Sequence, residues 1–161
     1  MIAAGISCSI DQIIVLFHAR LKIGGILMKT AVIFWSGTGN TEAMAKAAAE
    51  GANAELFEVS DFSGNAADYD AFAFGCPAMG AEVLEEDTFE PFFTGIEGSL
   101  SGKKVLLFGS YGWGDGEWMR NWYDRTKAAG ADLIGDEGFI VNEAPSDDDL
   151  AKLKELAAQL A

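Results

Sequence analysis

Apolar positions fall into short blocks of strand length, and longer stretches with helical spacing separate them. Thr30–Trp35 reads as a buried strand, and the alanine-rich Asn40–Glu50, carrying Met44, predicts a helix ended by Gly51. The alternation then repeats. Glu55–Val59 alternates as a strand, Ala71–Gly75 is a short apolar one, and Leu84–Ile96 is an acidic segment, interrupted by Pro91, that reads as a helix. Val105–Gly109 is another buried strand, Glu117–Ala129 is helical and stops at Gly130, and Leu133–Val141 contains the last strand. Ser146 with Asp147–Asp149 caps a final helix through Leu160, because its hydroxyl and the acids suit the exposed amides of a helix start. Five strands alternating with helices, with no internal repeat or linker, predict an α/β fold: one three-layer, doubly wound, five-stranded parallel sheet. Ligands of such sheets bind beyond the carboxyl ends of the strands, where the order reverses. The loops after Trp35, Gly75 and Gly109 are therefore the places to look for chemistry.

Residues 1–27 do not fit this pattern. Met1–Met28 carries Asp11, Arg20, Lys22 and His18, whereas Lys29–Ala161 holds nine basic and 24 acidic residues, a net of −15. Its apolar runs, Ile13–Phe17 and Ile23–Leu27, are too short and too interrupted for a membrane span, and no charged start precedes them as in a secretory signal. A weak amphipathic anchor is one reading. The preferred one is a translated upstream leader: Gly24-Gly25 stands just ahead of Met28, where glycine codons can spell a ribosome-binding sequence, and Met28-Lys29-Thr30 opens directly into the first strand. The expected division is thus 1–27 as an N-terminal extension and 28–161 as the folded domain.

Composition narrows the function. A chain of 161 residues, half of them apolar, closes a hydrophobic core without disulfides or metals. A formal net charge of −14 disfavours nucleic acid, whose phosphates it would repel, and favours a partner with a basic docking patch. The acidity also serves solubility. Two cysteines, Cys8 and Cys76, make no disulfide framework and point to a reducing cytoplasm, and the single His18 cannot build a histidine metal site.

Ser36-Gly37-Thr38-Gly39-Asn40-Thr41 lies between a predicted strand and a predicted helix. Its glycines let backbone amides turn inward, and the hydroxyls of Ser36, Thr38 and Thr41 add donors at the positive end of a helix, a set that suits a phosphate. No lysine follows, so this is not a Walker loop, and Glu42 stands where a dinucleotide fingerprint would have its third glycine. A terminal monophosphate fits best; a plain glycine-rich turn is the alternative. The other loops are Pro77-Ala78-Met79-Gly80-Ala81-Glu82 and Ser110-Tyr111-Gly112-Trp113-Gly114-Asp115-Gly116. Trp113, with glycine on both sides, has little to pack against, whereas a planar ring between Trp113 and Met79 would occupy both.

Taken together, Ser36–Thr41, Gly75-Cys76-Pro77-Ala78-Met79-Gly80 and Gly109–Gly116 with Glu117-Trp118-Met119 resemble the short-chain bacterial flavodoxins. The likeness runs from Met28 to the C-terminus, and Asp132–Val141 leaves no room for the long insertion of long-chain relatives. It implies a flavodoxin-like strand order of 2-1-3-4-5, non-covalent FMN, and a monomeric low-potential one-electron carrier, not an enzyme, cycling mainly between semiquinone and hydroquinone. Ser36, Thr38, Asn40 and Thr41 would hold the phosphate. Trp113 would stack on the outer face of the flavin and Met79 on the inner one, Glu82 would accept its N3 proton, and Gly80 would be the pivot whose carbonyl turns toward N5. The remaining loop residues, Gly37, Gly39, Pro77, Ala78, Ala81, Ser110, Tyr111, Gly112, Gly114 and Asp115, would complete the binding site. Partners would be cytosolic redox enzymes with basic faces, reductases and ferredoxin-dependent oxidoreductases, met transiently. Surrounding carboxylates would lower the potential: a charge about 10 Å away costs on the order of 0.4 kcal/mol, or roughly 20 mV.

The sequence departs from the family pattern in three places. Pro77 replaces a serine that also reaches the phosphate in some relatives, Ala81 replaces a polar residue beside the pivot, and the helix after the phosphate loop is short. Cys76 reads as a buried thiol and lacks the downstream arginine of a phosphatase loop. An NAD(P)H-dependent quinone or flavin reductase on the same fold is the rival reading. A non-redox phosphate-binding or receiver module is a weaker one, since Trp35-Ser36 lacks the acids a receiver needs.

Overall fold

The computed structural model describes residues 28–161; the expectation that residues 1–27 are a leader lies outside the described residues. Six strands, β1 (Thr30–Phe34), β2 (Glu55–Glu58), β3 (Ala71–Gly75), β4 (Lys104–Tyr111), β5 (Asp132–Leu133) and β6 (Phe139–Asn142), alternate with four α-helices among these residues. The helices are α1 (Asn40–Ala52), α2 (Phe89–Ile96), α3 (Glu117–Ala128) and α4 (Asp147–Ala157). All strand pairs are parallel, and the order is β2-β1-β3-β4-β5 as the resemblance implied.

The fifth position is split. β5 lies beside Lys104 and Val105, β6 lies beside Phe108–Tyr111, and the polar turn Ile134–Gly138, with Gly135 at φ 82°, interrupts the edge strand between them. Gly138 is required where the chain rejoins the sheet, because a Cβ there would lie 2.1 Å from Met119 Sδ.

Strand alternation sorts the core into two faces. Ile33, Phe72, Phe74 and Leu107 meet the aromatic side chains of α2 and α3, whereas Val32, Ala73, Leu106 and Phe108 meet α1 and α4. The second face uses alanine on α1 because backbones approach closely: a Cβ on Gly51 would sit 2.2 Å from the Lys154 carbonyl oxygen. Gly51 is therefore a packing glycine inside α1, which ends instead at Asn53 in the left-handed conformation.

The predicted Leu84–Ile96 helix is shorter than expected. Only Phe89–Ile96 is α-helical, and Pro91 falls in its first turn, where proline's missing N–H is tolerated. The preceding residues are held otherwise: the buried Glu85 carboxylate accepts from the N–H groups of Asp87, Thr88 and Phe89 at 3.0, 2.9 and 2.7 Å. Ser146 caps the start of α4 as predicted, and the structure adds that Asp149 returns the bond, making a reciprocal capping box.

Candidate functional site

Strand order reverses between β1 and β3, and the segments leaving β1, β3 and β4 meet there. Trp35 N–H donates to Gly75 O at 2.9 Å and Ala78 N–H to Ser110 O at 3.0 Å, so the three loops continue the register of the sheet. They enclose a cleft of about 550 Å³. Of the predicted residues, Gly37, Thr38, Asn40, Pro77, Ala78, Met79, Ser110, Tyr111 and Gly112 line it. Ser36, Gly39 and Thr41 belong to the turn at one end, and Gly80, Ala81, Glu82, Trp113, Gly114 and Asp115 belong to the outer loops. Trp35 and Glu143, outside the predicted set, line the cleft too. Trp35 had a signal, being the last apolar residue before the first loop; Glu143 had none, since its position follows from β6 pairing with β4 and from its N–H bonding Tyr111 O at 2.7 Å.

The turn end is built for an anion. Gly39 adopts φ 92° as N-cap of α1 and supplies no side-chain cap, which leaves the first-turn amides to the positive end of the helix dipole. Ser36 Oγ accepts from Gly39 N–H at 3.0 Å and so shapes the turn. Thr41 is buried, with its hydroxyl 3.2 Å from that of Ser110, tying the first loop to the third.

The outer loops are built differently. Met79 and Val83 exchange both backbone hydrogen bonds, closing a three-residue turn with Gly80 at φ 47° and Glu82 at φ 53°. A Cβ on Gly80 would meet nothing within 4 Å, so glycine is there for its conformation and not for space. Trp113 is 59% exposed, confirming that it is not part of the core. The Arg120 guanidinium bonds the Asp115 carboxylate at 2.8 Å and holds it below the usual carboxylate range. Behind the cleft, burial pushes the Cys76 thiol up to about 12, so it is a proton-bearing structural group. Among the described residues no cluster of histidine, cysteine and acidic side chains is placed to hold a metal.

A family model described as flavodoxin matches residues 32–156. The chain belongs to the flavodoxin family. It is 49% identical over 136 residues to a flavodoxin of Megasphaera elsdenii, covering 81% of this chain and 96% of that one. It is 45% identical over 118 residues to a flavodoxin of Clostridium beijerinckii, covering 70% and 86%. The solution structure of two-electron reduced Megasphaera elsdenii flavodoxin superposes with a TM-score of 0.72 at 45% identity, over 81% of this chain and 98% of that one. As a flavodoxin the chain is an FMN-binding electron carrier, an electron-transfer protein that works through redox partners. The site observed here suits that cofactor: uncapped helix amides beside hydroxyls at one end, an apolar cleft between, and a solvent-exposed indole in the third loop.

Proposed function

We propose that the three loops bind FMN with its phosphate at the start of α1 and its flavin ring between the Met79 and Trp113 loops, and that the protein is a low-potential one-electron carrier. FMN supplies a ring that takes up and gives back electrons one at a time. The chain supplies the rest. The amides of Asn40 and Thr41 with the hydroxyls of Ser36 and Thr38 would donate to the phosphate and orient it, and Tyr111 and Gly112 would form the cleft floor. Glu82 would serve as the acceptor for the ring N3–H, and the Gly80 peptide, at φ 47° with nothing near a Cβ, would be free to turn its carbonyl toward the ring. Acids beside the site, such as Glu117 at the start of α3, would disfavour added negative charge and so lower the potential, whereas the charge of Asp115 is offset by Arg120.

The observation that carries this reading is the uncapped N-terminus of α1 at the end of an otherwise apolar cleft. Titration of the apoprotein with FMN and with riboflavin tests it: FMN should bind at least tenfold more tightly, and equal affinities would contradict the phosphate assignment. Partners are proposed to be cytoplasmic redox enzymes with basic faces, met transiently by a monomer, since electron-transfer encounters are small and short-lived. Among the described residues no helix is long and apolar enough to cross a membrane. A hydride-transfer assay with NADPH and a quinone separates this from a reductase, and no turnover is expected.

A further inference from the structure

Glu82 lies outside the lining of the cleft and is tied instead to the third loop. Its Oε1 accepts three backbone N–H groups at the start of α3, from Asp115 at 3.1 Å, Gly116 at 2.9 Å and Glu117 at 3.1 Å. It therefore caps, from 33 to 35 residues away, a helix whose own N-cap, Gly116, has no side chain to do so. Glu82 adopts φ 53°, a left-handed conformation that a residue with a Cβ takes at a cost and that persists only where the surroundings enforce it. Gly114 makes the approach possible, since a Cβ there would stand 2.3 Å from the Glu82 carboxyl carbon. From the other side, Arg120 donates to the Asp115 carbonyl oxygen and carboxylate, both at 2.8 Å.

The consequence concerns Trp113. An indole 59% exposed has too little packing to fix its place, so its position is set by its backbone. That backbone is secured two residues on, at Asp115, and the securing group belongs to the Gly80 turn. We propose that Glu82 is a positioning residue that couples the two outer loops, setting where Trp113 stands through the amides of Asp115–Glu117. Through Oε1 it holds the helix start, while Oε2 has no hydrogen-bond partner among the described residues, and its use toward FMN rests on the reading above. The role of Trp113 toward FMN rests on the reading above; the coupling of the loops does not.

The test uses the full chain with and without FMN, in the variants Glu82→Ala, Glu82→Gln and Gly114→Ala. In the apoprotein, hydrogen exchange of the amides of Asp115, Gly116 and Glu117 should accelerate at least tenfold in Glu82→Ala. Glu82→Gln retains an acceptor oxygen and should restore protection to within threefold of wild type. Gly114→Ala retains the Glu82 carboxylate but crowds it out of position, and should reproduce the faster exchange. The Trp113 indole N–H resonance, assigned with Trp113→Phe, should shift in Glu82→Ala and Gly114→Ala and return in Glu82→Gln. Unchanged exchange in Glu82→Ala, or a Trp113 resonance that ignores all three substitutions, would overturn the proposal. If wild type failed to bind FMN, the cofactor reading would fail while these apoprotein results still decided the coupling. With FMN bound, Glu82→Gln should still bind more weakly than wild type despite its restored loop, because its Nε2 would place a donor where N3–H needs an acceptor; affinity equal to wild type would refute the division of labour between Oε1 and Oε2.

Discussion

Glu85→Ala removes a carboxylate that is only 6% exposed and that holds the turn between the Gly80 segment and α2. Three N–H groups lose their acceptor, and that of Phe89 is buried. A hydrogen bond to a charged group contributes about 1.5–3 kcal/mol net, and water can replace the lost acceptor at the exposed Asp87 and Thr88, so the buried Phe89 N–H dominates. The net loss is therefore about 3 kcal/mol, roughly 150-fold in the folding equilibrium. Urea unfolding of the apoprotein should show it as a midpoint lowered by about 1.5 M for a slope near 2 kcal/mol/M. Glu85→Gln, with one acceptor left, should lose about half as much. The neighbouring Glu86 is exposed, and Glu86→Ala should cost under about 0.5 kcal/mol. If Glu85→Ala cost no more than Glu86→Ala, the carboxylate would not be what closes the start of α2.

Three further outcomes are expected. Trp113→Ala should weaken FMN binding by about 1–3 kcal/mol, the value of one stacking contact, in a direct titration. Gly80→Val should lower the largest amount of one-electron-reduced flavin seen during reductive titration, because a branched side chain disfavours positive φ; an unchanged amount would remove Gly80 from the mechanism. In a Cys8→Ser background, Cys76 of the folded protein should resist alkylation at pH 8. Its thiol, raised from 9.0 to about 12, holds its proton more tightly folded than unfolded, so its stabilising contribution is complete below about pH 9 and is lost as pH rises toward 12. Thermal unfolding between pH 8 and 10.5 should accordingly lose less stability with rising pH in Cys76→Ser than in its parent.

The sheet and the three loops were legible because their signals are local: apolar runs of strand length, and glycines with hydroxyls directly after them. What could not be read depends on residues far apart. Gly51 looks like a helix terminator, yet it is glycine because α4 passes 2.2 Å from where its Cβ would be. Glu85 belongs to an acidic stretch that resembles a solvated helix face, and only the turn of the chain converts it into a buried cap. Glu82 was expected to serve a ligand, while its bonds to Asp115, Gly116 and Glu117 depend on where β3 and β4 end. Trp113 was readable because an indole between two glycines has no local core to join, and it is indeed exposed.

The central claim is that this chain carries electrons singly on FMN, and anaerobic stepwise reduction of the FMN-loaded protein, followed by its visible spectrum, tests it most directly. A blue one-electron-reduced flavin should accumulate before full reduction. Passage straight to the two-electron-reduced form, with no blue species at any stage, would contradict it.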